Sequence, residues 1–172
     1  LTDPGTVGKD LGDISSVLDE AIEEVRKISH NLRPYQLDRL GVTRALQALV
    51  KKVDEASTIR FRADLDNVDS YFSADTGIIL FRIVQEGITN ILKHSGATEA
   101  NIVLKVGESN IELTIADNGK GISNLSPETQ TSGFGLSGIE QRCRMLKGSL
   151  SVESGAGKGT TLTVRIPNAV SN

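Results

Sequence analysis

Four groups of residues have the types and spacing that site chemistry needs. Asp117-Asn118-Gly119-Lys120-Gly121-Ile122 follows an alternating run, Asn110 to Ala116, that reads as a half-buried strand. A carboxylate thus ends a strand, and two glycines after it let the backbone turn tightly and approach a flat ligand closely. Upstream, Glu86, Asn90 and Lys93 fall at i, i+4 and i+7 of a helical pattern, away from the apolar face of Leu80, Val84, Ile88, Ile91 and Leu92. An acceptor, an amide and a cation in one stripe can hold a hydrated Mg²⁺ with its phosphates, because magnesium takes few oxygen ligands from protein. Gly133-Phe134-Gly135-Leu136-Ser137-Gly138 runs into a helix whose free N–H groups can bind phosphate oxygens. Gly157-Lys158-Gly159-Thr160-Thr161 closes the set. Each group has a plainer reading by itself: a hairpin or loop, a solvated helix face, a loose GxGxxG match, a hairpin turn.

Those residues must be positioned by folded elements, and the pattern supplies them. Ile14, Leu18, Ala21, Val25, Ile28 and Leu32 keep a 4-3-4-3-4 spacing, an a/d seam that wants a partner helix and ends before Pro34. Residues 1–12, rich in Gly and Pro, read as a frayed or appended end, 13–36 as a helix, and 37–168 as the main domain. Within it, Leu37 to Gly41 is a connector, and Thr43 is the expected N-cap of a helix carrying Leu46, Leu49, Val50 and Val53. A strand over 59–65, a long helix from Ser73 to His94 and a hairpin turning at Gly107–Asn110 follow. Residues 118–137, dense in Gly, Ser, Thr and Asn, are expected to form a mobile lid. A helix over 137–147 and strands near 149–153 and 160–166 complete the chain. That order predicts a two-layer α/β sandwich, with helices on one face of a mixed, mostly antiparallel sheet. No internal repeat is visible.

Composition narrows the function classes. The chain has 172 residues, 38% hydrophobic and 24% charged, which suits one domain plus an appendage. A net charge of −3 and no Lys/Arg cluster argue against nucleic-acid binding. The lone Cys143, beside Met145 and Leu146 in a helical pattern, is expected to be a small buried hydrophobe; no internal disulfide or cysteine-based zinc site is possible. No apolar run reaches the roughly 18–20 residues that span a bilayer. Beginning at Leu1, the chain is expected to be a cytoplasmic piece of a longer protein whose other parts could carry a membrane anchor. The glycine pattern does not suit a dinucleotide fold, since it follows a polar loop rather than a parallel strand. No GxxxxGK[ST] is present, which removes a P-loop kinase.

The four groups in this order resemble the ATP-binding domain of sensor histidine kinases, within the superfamily of gyrase, heat-shock chaperone and mismatch-repair ATPases. Ser29-His30-Asn31-Leu32-Arg33-Pro34 through Leu40-Gly41, and Gly138-Ile139-Glu140-Gln141-Arg142 through Ile166-Pro167, resemble the subfamily that pairs with NarL-type response regulators. The likeness covers residues 14–167 and implies a Bergerat-type ATP-binding fold. It makes Asn90 the Mg²⁺ ligand and Lys93 a phosphate contact, and gives Glu86 the acidic position that activates water in hydrolytic relatives. It implies that Asp117 accepts the exocyclic amine of adenine, with Gly119, Gly121 and Ile122 at the base. Gly133, Gly135, Leu136 and Gly138 are expected at the phosphates, Thr160 or Thr161 near the adenine, and His94 either on the nucleotide or capping its helix.

One departure stands out. The acceptor histidine of these kinases lies on the first dimerisation helix, typically before an acidic residue. This chain carries only His30, followed by Asn31, and His94. The resemblance therefore implies a protein-histidine kinase core that binds ATP and Mg²⁺ but cannot phosphorylate itself. It also implies a homodimer in the parent protein through Ile14–Leu32, and a NarL-type regulator as partner. A gyrase- or chaperone-type ATPase with Glu86 as base, and an anti-sigma-factor serine kinase, remain the alternatives.

Overall fold

The computed structural model describes residues 35–122 and 136–168. The chain divides into two units, Leu1–Tyr35 and Gln36–Asn172. The expected end over 1–12, the Ile14–Leu32 seam, His30, and Gly133 and Gly135 of the lid lie outside the described residues.

The elements are α1 (Tyr35–Leu40), α2 (Val42–Ala56), β1 (Arg60–Leu65), α3 (Ala74–Asn90) continued by a π turn (Ile91–Ser95), β2 (Glu99–Val106), β3 (Asn110–Asp117), α4 (Leu136–Met145), β4 (Ser149–Ser154) and β5 (Thr160–Pro167). The expected connector from Leu37 to Gly41 is helical up to Leu40, and Gly41, at φ +81°, breaks it from α2. Thr43 is not the cap of α2, which starts one residue earlier. The cap comes from the loop after β1: Asp69 Oδ1 accepts the Thr43 N–H at 2.9 Å, and Thr43 Oγ1 accepts from the Val68 N–H at 3.0 Å. A capping rule that looks at adjacent residues cannot see an acceptor that arrives by tertiary packing.

α3 starts as the sequence predicts, with Ser73 Oγ accepting the Thr76 N–H at 3.2 Å. Its end differs, because Ile91–Ser95 winds as a π turn. There the Ser95 hydroxyl donates to the Ile91 carbonyl four residues back, at 2.7 Å. The β2–β3 hairpin closes at the expected place, with Gly107 N–H on the Asn110 carbonyl at 2.8 Å.

The five strands lie in the order β1-β2-β3-β5-β4. β1 and β2 are parallel, with α3 as the crossover between them; the other pairs are antiparallel. Burial alternates along every central strand. Ile102 and Leu104, Ile111, Leu113 and Ile115, and Leu162, Val164 and Ile166 are buried, and the residues between them are not. One face therefore packs on Leu46, Leu80, Ile83, Val84 and Ile139 of the helices, and the other faces water. This is the mixed, mostly antiparallel two-layer sandwich that the pattern predicts. Cys143 is buried in it, and burial pushes its thiol up to about 11, so it stays an inert hydrophobe.

Candidate functional site

The site forms where the end of α3 lies along the end of β3. Gly87 makes the approach possible, since a Cβ there would stand 2.6 Å from Ile115 Cδ1. At the other end of this contact the Ser95 carbonyl accepts the Lys120 N–H at 2.9 Å. Asn90 lies between these two fastenings on one side, and Asp117 lies between them on the other.

Asp117 is in phase with Ile111, Leu113 and Ile115, so its carboxylate is directed to the helix side of the sheet. Its Oδ1 accepts the Gly119 N–H at 2.8 Å. Partial burial raises its pKa above 3.8, opposed by the backbone N–H groups of Gly119 and Thr160, which favour the charged form. Among the described residues no cation pairs with it. A carboxylate offers about four lone-pair positions, so acceptor capacity remains for a ligand donor.

Glu86 and Asn90 keep their one-turn relation on α3 and are both half-buried. Asn90 Nδ2 is buried and has no hydrogen-bond partner. Leaving such a group unpaired costs roughly 1–3 kcal/mol, which marks it for a ligand. Lys93 and His94 are exposed, and both lie in the π turn. The single α-helical stripe expected to join Glu86, Asn90 and Lys93 therefore ends at Asn90.

The glycines do a job that their spacing does not show. A Cβ at Gly119 would stand 2.3 Å from the Ser95 carbonyl oxygen, and one at Gly159 would stand 1.9 Å from that of Asp117. Gly121 is as tight against Gly155. What they admit is the protein's own backbone, at contacts that lock the loop to its neighbours. Asn118 strengthens the lock: its Oδ1 accepts the Thr98 and Glu99 N–H groups at 2.9 and 3.0 Å. The first residues of the expected mobile lid, 118–122, are thus fixed; 123–135 lie outside the described residues. Ile122 packs against the core, and its N–H donates to Ser154 Oγ at 2.8 Å.

Thr160 and Thr161 separate by face. Thr160 is the cross-strand partner of Asp117 and is in phase with buried Leu162 and Val164, whereas Thr161 points to the open face. At the start of α4, Leu136 is buried in the core, and the Gly138 carbonyl accepts from Arg142 at 2.9 Å. Sequence reasoning missed two serines. Ser95 joins the π turn to the Lys120 backbone, and Ser154 touches Ile122, Gly159 and Thr160. Neither belongs to a spacing pattern; only the fold assembles their partners. Among the described residues no group of three or more His, Cys, Asp or Glu side chains could hold a metal alone.

Comparisons with known proteins agree with this geometry. Residues 75–170 match the family model described as histidine kinase-, DNA gyrase B- and HSP90-like ATPase. The chain is 33% identical over 153 residues to the sensor histidine kinase MctS of Rhizobium johnstonii, covering 88% of this chain and 33% of that protein. It is 32% identical over 159 residues to the signal transduction histidine-protein kinase/phosphatase DegS of Brevibacillus brevis, covering 92% and 41%. It therefore spans between a third and about two-fifths of the length of these relatives. The fold is that of the histidine kinase domain of the Erythrobacter litoralis EL346 blue-light activated kinase, with a TM-score of 0.65 at 21% identity, covering 74% of this chain and 61% of that one. It also matches the ATP-binding domain of PrrB from Mycobacterium tuberculosis, with a TM-score of 0.57 at 20% identity over 74% and 93%. With the family model spanning more than half of the chain, and the unpartnered Asn90 nitrogen and half-buried Asp117 carboxylate inside that span, this chain belongs to the histidine kinase-, DNA gyrase B- and HSP90-like ATPases.

Proposed function

We propose that this chain is the ATP-binding catalytic part of a two-component sensor histidine kinase. It transfers the γ-phosphate of ATP to a histidine on a dimerisation helix, for onward transfer to a NarL-type response regulator. The observation that carries this is the buried, unpartnered amide nitrogen of Asn90 on a helix end fastened, at Gly87–Ile115 and Ser95–Lys120, to the strand end that holds the half-buried carboxylate of Asp117. One end suits a cation and phosphates and the other suits a base.

Asp117 accepts the exocyclic amine of adenine, a charge-assisted bond worth roughly 1.5–3 kcal/mol. Lys93 supplies a point charge to the phosphates, with His94 beside it. The residues present fit Mg²⁺. A half-turn of the Asn90 carboxamide exchanges its two ends, so the same buried position can present the oxygen. Few protein ligands are needed, because magnesium keeps waters and shares the phosphates. When bound, it neutralises charge on the transferring group. An imidazole nitrogen then forms a bond to the γ-phosphorus as the bond to the β–γ bridging oxygen breaks. ADP leaves with the electron pair, and the ring's surplus proton passes to solvent.

Neither His30 nor His94 carries the acceptor pattern, so we place the acceptor on another polypeptide or another part of the parent protein. The parent would dimerise through Ile14–Leu32. No described helix is long and apolar enough to cross a membrane; we assign this part to the cytoplasm and give it no nucleic-acid partner. A hydrolytic reading is kept for one reason: Glu86 stands one turn before Asn90, where a base for water would be needed.

Calorimetric titration with ATP and GTP, with and without Mg²⁺, tests the proposal. Magnesium-dependent ATP binding at least about tenfold tighter than GTP is expected. Equal affinity for both, or none by the folded protein, overturns it. Adding an acceptor-helix polypeptide and a NarL-type regulator should then label both with phosphate. Steady phosphate release without any acceptor, lost in Glu86→Gln, would favour the ATPase.

A further inference from the structure

We propose that Ser154 sets the base specificity of this site, by fixing the Thr160 hydroxyl as a hydrogen-bond acceptor that reads an amino group together with Asp117. The inference rests on the nucleotide reading above and concerns which purine the site takes.

Ser154 ends β4 on the helix-facing side of the sheet and is half-buried. Three polar groups surround its hydroxyl oxygen. The Ile122 N–H donates to it at 2.8 Å. The Gly159 carbonyl lies 2.9 Å away and can only accept, so it takes the single Ser154 proton. Thr160 Oγ1 is also 2.9 Å away, and either oxygen could donate in that contact by distance alone. The count of protons decides it. With the Ser154 proton committed to Gly159, the proton between the two hydroxyls belongs to Thr160. The opposite wiring would leave the Gly159 carbonyl facing a lone pair at hydrogen-bond distance.

Thr160 therefore has only lone pairs left for anything else. It is the cross-strand partner of Asp117, which also presents lone pairs when ionised. Two acceptors side by side suit an amine and repel a carbonyl oxygen. A purine with an amino group at position 6 satisfies both, whereas a 6-oxo purine meets lone pairs on both sides. Rejection of this kind is strong because the mismatched polar groups stay unpaired. Without Ser154 the Thr160 hydroxyl can rotate and donate to a 6-oxo group, so only Asp117 would discriminate.

The test is the ratio of ATP to ITP affinity, since inosine triphosphate differs from ATP at position 6 by carrying an oxo group. Calorimetry with Mg²⁺ on the whole chain should show the wild type preferring ATP. Ser154→Ala should shrink that preference by about tenfold, roughly one hydrogen bond's worth. Ser154→Thr, which keeps the hydroxyl, should retain it. Thr160→Val keeps shape but loses the acceptor and should shrink it as well, which guards against a Ser154→Ala chain that fails to fold. Equal weakening of both nucleotides with an unchanged ratio overturns the inference and makes Ser154 a fastener of the loop only. A wild type without selective ATP binding overturns the nucleotide reading and this inference with it. Selective wild-type binding with unchanged ratios in Ser154→Ala and Thr160→Val overturns this inference alone.

Discussion

The strands of this sheet carry charges on both faces, and the two faces treat them differently. On the open face, charge meets charge. Arg165 Nε donates to Glu112 at 2.8 Å across paired strands, and Lys105 reaches Asp64 and Asp66 at 2.8 and 3.2 Å. Arg62 lies 3.5 Å from Glu99. At the helix-facing end of the same strands, Asp117 bonds to backbone and the nearby Asn90 amide nitrogen bonds to nothing. The first arrangement is complete without a ligand and is screened by water. The second is half-buried and incomplete, which is the state a binding site must hold before its ligand arrives. A count of charged residues would rank the open face higher; the unpaired, desolvated groups are what the proposed site rests on.

The largest effect that would break the contrast comes from the backbone lock. Gly159 has φ +73°, and a Cβ there would stand 1.9 Å from the Asp117 carbonyl oxygen. Gly159→Ala is expected to cost about 2–4 kcal/mol in denaturant unfolding and to abolish ATP binding. An unchanged midpoint would mean that the loop is not locked as described. Asn90→Ala sharpens the contrast from the other side. It removes a buried amide nitrogen that makes no bond, so stability should hold or rise, by up to about 1–3 kcal/mol, while the magnesium-dependent part of ATP binding disappears. A loss as large as that at Gly159 would make Asn90 structural.

Asp117 gives a test by pH. Its folded pKa is raised above 3.8, so its ionisation opposes folding. The stability it contributes is present below the unfolded value and is lost as pH rises through the folded one. Binding an amine donor needs the carboxylate, so ATP affinity should run the opposite way and fall as pH drops through the raised value. Asp117→Asn should flatten both trends relative to the wild type and weaken ATP binding about tenfold or more. Parallel pH profiles for the two proteins would remove Asp117 from the base site. The smallest effect is expected on the open face. Glu112→Gln should cost about 0–1 kcal/mol, less at high salt, and leave ATP binding unaltered.

Much of the fold was legible because its signals are periodic and local. Alternation placed β3 and its terminal Asp117, the start of α3 falls at Ser73 as expected, and the hairpin turns at Gly107–Asn110 as expected. What the pattern does not show has one cause. Thr43 was expected to cap α2, but the acceptor is Asp69, distant in sequence. The α-helical stripe was expected to reach Lys93, but a π turn held by Ser95 and the Lys120 contact interrupts it. The glycines after Asp117, expected at a ligand, also serve backbone crossings at Ser95 and Gly155 that no local pattern shows.

Residue spacing alone sets the order of elements, the faces of the strands and the residue types available to the proposed site. These follow from the spacing of apolar, capping and turn-forming residues along a few consecutive positions. Packing alone settles that Thr160 rather than Thr161 stands across from Asp117, that the Asn90 amide nitrogen is buried without a partner, and that Ser154 touches Thr160. Register, burial and proton wiring depend on groups far apart in the chain meeting at hydrogen-bond distance, and no local spacing encodes that meeting.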